Sequence, residues 1–506
     1  MSEAEPPPDE RGSVRAAARA GVVWSSLAFI ATRALTLGSV VILARLLAPS
    51  EFGVVAAVLI VLGLLEVGSD LGMKATVIYE QGDDPIRVNT AFWLGLAISG
   101  GLSALGLLLA PLAADFFNMP DQTDLFRLAV LNVALTGLGN VHDALLLRDL
   151  AFRPRVVTEV IRGCVRAGVS IALAVAGVGA ASLVWGMLAG TLAWAAALWA
   201  ITRFVPSPRF DMAVARSMSA FGTGASALDA LAAVTTQLDA AIIGRVLGER
   251  ALGLYSIAFR VPQLVIQSVA WNVSIVVFPT LSRQRVVDRD ELGPVSLALV
   301  RYQALYALPF AAGLAALAAP LINVLFSASW ADAAGVVAPV SLMMAIAAIV
   351  NPLGDLLKSV GKQWILVGFN IAMIPAMVVT IVAAASVGIV AVAWARAGTL
   401  ALFALAVVAA TSRGLQVRAR SVGIATVPGL IAASGVLAGA GAVRYAWPAL
   451  TVGPLLVGAT VGAVSGTVAL RLFAPAAFAA ARGQIAALFG RRTGLPSAEV
   501  DAPPTT

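Results

Sequence analysis

Fourteen long apolar runs follow one another along the chain, at 21–44, 53–73, 90–114, 125–146, 156–176, 181–202, 217–244, 252–278, 297–321, 333–357, 364–386, 389–411, 422–442 and 450–472. A hydrocarbon core of roughly 30 Å takes about 20 helical residues per crossing, so each run is long enough to span a bilayer. The charge content decides what these runs face. Only 12% of the 506 residues are charged and 60% are hydrophobic, whereas soluble domains carry about 25% charged residues. Too few charges remain to cover a water-facing surface, which excludes a soluble globular enzyme. The pattern predicts an all-α polytopic membrane protein with about 14 transmembrane helices.

The net charge of +7 would suggest nucleic acid in a soluble protein. Here the positive-inside rule accounts for it. With the N-terminus in the cytoplasm, 24 of the 34 Lys and Arg fall in inner segments, 5 in outer segments, and the last 5 within runs. That bias predicts an even number of crossings, with both termini cytoplasmic. The outer connections are short, and the pair 156–176 and 181–202 is joined only by Gly177-Val178-Gly179-Ala180, a tight helical hairpin. The one cysteine, Cys164, and the one histidine, His142, leave no disulfide and no Cys- or His-rich metal site. No cofactor is expected, and the lack of a G-x-x-x-x-G-K-[ST] motif excludes an ATP-driven exporter.

The halves of the chain resemble each other. Ile42-Leu43-Ala44-Arg45-Leu46-Leu47 through Phe52-Gly53 corresponds to Ile242-Ile243-Gly244-Arg245-Val246-Leu247 through Leu252-Gly253, an offset of 200. Ala110-Pro111-Leu112 matches Ala319-Pro320-Leu321 at an offset of 209, as do Gly179 with Gly388 and Trp185 with Trp394. Ordered anchors at a nearly constant offset predict two pseudo-symmetric six-helix lobes, 21–203 and 217–412, related by an axis along the membrane normal. The extra helices 13 and 14 occupy 422–473. A cytoplasmic tail, 1–20, and a basic cytoplasmic tail, 474–506, flank them; the latter reads equally as an amphipathic surface helix or a frayed end. Paired lobes around a cleft suit alternating access.

Arg45-Leu46-Leu47-Ala48-Pro49-Ser50-Glu51-Phe52-Gly53 resembles the ARLL-x-P-x-x-FG signature of polysaccharide flippases of the Wzx type, within the multidrug/oligosaccharidyl-lipid/polysaccharide exporter superfamily. Leu238-Asp239, Ile243 to Gly248, Leu252 to Tyr255, Arg260 and Pro262 resemble that family's second-half signature, and Phe278-Pro279-Thr280-Leu281-Ser282 its FP-x-LS ending of the eighth helix. The resemblance spans helices 1–12. It implies fourteen helices in a bacterial inner membrane and export of polyprenyl-pyrophosphate-linked oligosaccharide units for surface polysaccharide, lipopolysaccharide or exopolysaccharide, with polysaccharide polymerase and chain-length machinery as partners. Lipid II flippases and ion-driven multidrug exporters of the same superfamily are the nearer alternatives. A membrane polymerase or ligase is more remote, because the outer loops are short and none carries a histidine.

Charges inside a bilayer are costly and mark function by default. Arg33, Arg260, Arg162 and Arg396 are the candidates for holding a pyrophosphate, whose oxygens suit the guanidinium fork. Arg162 and Arg166 form an i,i+4 pair, and as groups nearer a helix end they could instead snorkel. Glu66, Asp70 and Asp239 are candidates for ion coupling or for pairing, as Arg33 with Glu66 or Asp70 and as Arg260 with Asp239. Asn272 and Asp355 read as interhelical hydrogen bonders, and Trp24, Trp93 and Trp271 as packing or belt residues. Pro262, Pro309, Pro352 and Pro375 should kink their helices. Gly458, Gly462 and Gly466 form a doubled GxxxG face, best used inside the bundle.

Overall fold

The structure, a computed structural model, describes residues 35–70, 85–268, 292–414, 417–479 and 482, without the side chains of 69, 70, 219–233 and 414. Arg33, Trp24, Trp271, Asn272, the stretch Phe278 to Ser282 and most of both tails lie outside those residues.

Helices occupy the apolar runs. α1 is described over Leu35–Leu46, followed by α2 (Pro49–Asp70), α3 (Pro85–Phe116), α4 (Thr123–Arg148), α5 (Phe152–Val175) and α6 (Ala181–Thr202). The helical stretch Met212–Pro262 is two helices, α7 (212–247) and α8 (249–262), broken at Gly248 with φ 81°. A π-helical turn, Gln263–Gln267, follows Pro262, where the proline was expected to disturb the helix. Next come α9 (Leu292–Ala316), continued by a short helix Ala318–Phe326, then α10 (Ala334–Ser359), α11 (Gln363–Ala385), α12 (Ile389–Gly414), α13 (Ala419–Ala446) and α14 (Val452–Phe473). Pro309 and Pro375 lie inside α9 and α11. Among the described residues ten helices are long and apolar enough to cross a membrane. α5 is not one of them, because Arg153, Arg155, Glu159, Arg162 and Arg166 load its first half with charge.

Local chemistry sets the helix ends. Asp211 caps α7, its Oδ1 accepting from the Ala213 and Val214 amides at 2.7 and 3.2 Å, which satisfies two of the free N–H groups that open a helix. The α5–α6 hairpin turns on Gly177 and Gly179, with φ of 81° and 68°, and Gly388, in the equivalent place before α12, is also left-handed at 130°. A side chain is strained in that region, so the repeated glycine serves the same turn twice. Large apolar side chains such as Leu108 (77% exposed), Val379 (68%) and Leu402 (68%) face outward, as a lipid-facing surface requires.

The chain divides into two compact units. One comprises residues 1–264, 321–343 and 364–403, and the other 265–320, 344–363 and 404–506. In the second unit small residues let helices meet. A Cβ on Gly466 would lie 2.6 Å from a Val436 methyl and 3.0 Å from the Ala432 carbonyl, and one on Gly439 would strike Ser465. Gly462 and Gly466 of the doubled GxxxG on α14 are therefore spent on α13, and Gly458 on Leu317, inside the bundle. Gly429 of α13 approaches α9 in the same way. A Cβ there would stand 2.4 Å from the Ala304 carbonyl oxygen.

Gly429→Ala should therefore cost about 1–3 kcal/mol by forcing α9 and α13 apart. Gly423→Ala, where a Cβ meets nothing within 4 Å, should leave stability unchanged. Thermal unfolding of the two purified variants in detergent checks this, and equal midpoints would contradict the packing.

Candidate functional site

The first unit encloses a cavity of about 300 Å³ between α1, α2, α5, α8 and the start of α6. Leu35, Val40, Leu43, Val55, Leu59 and Leu183 give it apolar walls, and Thr36, Ser39, Ser170 and Ser256 add hydroxyls. Two cations line it, Arg166 from α5 and Arg260 from α8. Gly163, one turn before Arg166 on α5, is another lining residue. Arg166 lies within electrostatic range of Arg260, Arg162 and Glu66, so cationic charge gathers at one place. Two hydroxyls are turned to their own helices, Ser39 donating to the Thr36 carbonyl at 2.9 Å and Ser256 to the Gly253 carbonyl at 2.8 Å.

The predicted residues fall into separate groups. Arg260 lines the cavity. Arg162 lies over the indole of Trp194 on α6, 5.1 Å from the ring centroid, a cation–π contact. Glu66 accepts from Asn132 Nδ2 of α4 at 3.2 Å, and Asn132 Oδ1 accepts from the Thr191 hydroxyl of α6 at 2.8 Å. The side chain of Asp70 lies outside the described residues, as does Arg33.

Asp239 of α7 meets Arg396 of α12 and Tyr255 of α8. Its Oδ2 accepts from the Tyr255 hydroxyl at 2.7 Å and from Arg396 Nε at 3.4 Å, while Oδ1 accepts from the Ala240 amide at 2.8 Å. All three residues are buried. One guanidinium nitrogen of Arg396, Nη1, is buried without a hydrogen-bond partner among the described residues. A lone charge at such a site would be expensive, and the pair cancels it. The partner of Asp239 is thus Arg396 and not Arg260, with which the sequence reading paired it.

Other polar residues have local roles. His142 stacks on Trp199 at 4.9 Å and lies 3.3 Å from the Phe204 carbonyl. The neighbouring Asp143 accepts from Arg155 at 2.7 Å. Trp93 donates to the Ser207 carbonyl at 2.8 Å, and Asp355 pairs with Lys358 one turn along α10 at 3.1 Å. Sequence reasoning undervalued Arg166 and passed over Asn132, Thr191 and Tyr255. Their signal was present: each is a polar residue embedded in an apolar run, where a hydroxyl or amide needs a partner.

Residues 42–335 match the family model described as polysaccharide biosynthesis protein. The chain belongs to that family. Among its curated relatives is the succinoglycan biosynthesis transport protein ExoT of Rhizobium meliloti (strain 1021), 30% identical over 68% of this chain and 70% of that protein. The lipopolysaccharide biosynthesis protein WzxC of Escherichia coli (strain K12) is 22% identical over 74% of this chain and 78% of that one. The resemblance read from Arg45 to Gly53 and from Ile243 to Tyr255 holds, and ExoT is by name a transport protein. The fold is similar to that of the lipid II flippase MurJ in an inward closed conformation, with TM-score 0.70 at 13% identity over 89% of this chain and 98% of that one. It is also similar to an inward-facing multidrug transporter of the MATE family, with TM-score 0.55 at 14% identity over 94% and 100%. The likeness to both solved structures supports a multi-pass helical fold for this chain.

Removing either partner of the buried pair should destabilise the protein more than removing both. Asp239→Ala or Arg396→Ala should each cost about 3–5 kcal/mol, and the double variant less than their sum. Unfolding midpoints of the four proteins in detergent measure the coupling. Strictly additive losses would deny it.

Proposed function

We propose that this membrane protein is a flippase for polyprenyl-pyrophosphate-linked oligosaccharide units. In this reading it carries them across the bacterial cytoplasmic membrane by alternating access, for surface polysaccharide biosynthesis. The observation that carries the reading is the cavity lined by Arg166 and Arg260 in a chain of the polysaccharide biosynthesis family. Two guanidiniums at one cavity suit a group with several anionic oxygens, because each can present a fork of N–H donors. Arg162, engaged with Trp194, contributes charge nearby. Both termini face the cytoplasm in this reading, as the Lys and Arg bias requires, and polymerase and chain-length machinery act after release.

The Asp239–Arg396–Tyr255 cluster has a structural role in the proposal, since the carboxylate's oxygens already accept from Tyr255, Arg396 and the Ala240 amide. The geometry favours this over a cation-extruding reading, because positively charged cargo would meet arginine at the cavity wall.

Arg166→Gln and Arg260→Gln should each lower export at least tenfold while the protein still inserts. Arg127→Gln, an exposed arginine beside Asp124, should not. Deleting the gene in its native cell should leave lipid-linked units on the inner leaflet, where loss of a polymerase would leave them on the outer one. Export unaffected by both cavity variants would overturn the binding role, and accumulation on the outer leaflet would overturn the flippase reading.

A further inference from the structure

The two copies of the repeated motif hold each other at one end of the first unit, and they do so reciprocally. Arg45, at the end of α1, donates from Nε to the Leu325 carbonyl at 3.2 Å and from Nη2 to the Val324 carbonyl at 2.5 Å. Arg245, its repeat at the end of α7, donates from Nη1 to the Asp115 and Phe116 carbonyls at 3.1 and 2.9 Å and to Asn118 Oδ1 at 2.5 Å. The acceptors are themselves repeats. Asp115 and Phe116 close α3, and Val324 and Leu325 close the helix continuing α9, at the same offset of 209. Each half's arginine therefore caps the third helix of the other half. The last carbonyls of a helix lack partners and carry its negative dipole end, which is where a cation serves best. Two further bonds tie the same segments. Trp330 Nε1 donates to the Ala44 carbonyl at 2.7 Å, and Asn118 Nδ2 to the Arg245 carbonyl at 2.9 Å.

Beside these caps α2 and α8 touch through glycine. A Cβ on Gly53 would fall 1.7 Å from the Glu249 carbonyl oxygen, and one on Gly253 would fall 1.8 Å from the Pro49 carbonyl oxygen. Gly53 and Gly253 are repeat positions, as are residues 49 and 249, so the contact is the same contact seen from both sides. The Arg166–Arg260 cavity begins within about a turn of it, at Val55 and Ala56 on α2 and at Ser256 and Ile257 on α8.

We infer that Arg45, Arg245 and the Gly53–Gly253 contact form a two-fold-symmetric gate, closed in this structure, which seals the cavity at the end carrying the α1–α2 and α7–α8 connections. Several features suit a reversible seal. The arginine bonds are exposed and go to neutral carbonyls that water can take over when the bonds break. At the two glycines themselves the contact is backbone against backbone, with no side chain between the helices. Because each arginine caps the opposite half, parting the halves breaks both caps together, and the gate opens as one unit. The charge bias of the sequence puts this end at the outer face, and the assignment of side rests on that topology.

The test uses accessibility and does not depend on transport. In a Cys164→Ser background, Ser39→Cys places a single thiol at the cavity wall. A membrane-impermeant maleimide is applied to right-side-out and to inside-out vesicles. With the gate intact the thiol should label slowly from the outer side. Arg45→Gln and Arg245→Gln should each raise that rate at least several-fold and to a similar extent. Gly53→Ala and Gly253→Ala, which obstruct closure without touching the arginines, should do the same. Unchanged labelling from both sides in all four variants, with unfolding midpoints near the parent's, would overturn the gate. A rise seen only in inside-out vesicles would uphold the gate and overturn the assigned topology. Export assays of Arg166→Gln test the cavity separately, so the two readings can fail independently.

Discussion

A bilayer offers no solvent to a charge or to an open backbone group, so every polar atom placed there must find its partner within the protein or in a water-filled space. The arrangement of the first unit follows from that requirement. Asp239 and Arg396 neutralise each other across α7 and α12, with Tyr255 adding a third contact. Glu66 is met by Asn132, which is met in turn by Thr191, so one carboxylate ties α2, α4 and α6. Arg162 has the face of Trp194. Arg166 and Arg260 line a cavity. Structural charges are matched within the helices, and two further cations stand at the wall of the cavity.

A second requirement is that helices approach closely where no hydrophobic effect drives them together. Hydrocarbon tails compete equally for apolar side chains, and contact then depends on dispersion and on small residues. The chain uses this in two ways. In α13 and α14, Gly439 and Gly466 admit helix against helix within one bundle, a permanent contact. At Gly53 and Gly253 the same device joins repeat to repeat, beside caps that water can replace. The difference lies in the surroundings: Gly439 and Gly466 sit among Ser465, Val436 and Ala432, whereas Gly53 and Gly253 meet mainly backbone.

The fold was legible because its signals are local. Run lengths gave most helices to within a few residues, and the repeat appeared as ordered anchors. The break at Gly248 falls in the gap left between the runs 217–244 and 252–278, although hydropathy does not show its positive φ. The site was legible only in part. Hydropathy shows that Arg166, Arg260 and Arg396 are anomalous, but it cannot show which anomaly is cancelled, since that depends on which helix faces which. Asp239 lies 21 residues from Arg260 and 157 from Arg396 along the chain, so the observed partner is the one remote in sequence. Arg45 and Arg245 were visible as motif residues, yet all but one of their acceptors are backbone carbonyls, which carry no residue signature at all.

The gate and the cavity have a joint consequence when read together. A ligand shifts an equilibrium between two conformations only by the difference in its affinity for them. Arg166 stands on α5, in the first copy of the repeat, and Arg260 on α8, in the second, and α8 carries Gly253 a few residues before Arg260. In the proposed reading an anion held by both arginines bridges the two copies directly beside the contact that closes them. If α5 moves with α2, parting α2 from α8 changes the separation of the two guanidiniums, and an anion bound to both then has unequal affinity for open and closed forms. The like charges of Arg166 and Arg260 oppose each other, and an anion between them would offset that opposition. The same charges that would recognise a pyrophosphate would therefore also report its presence to the gate, with no additional element needed to couple them.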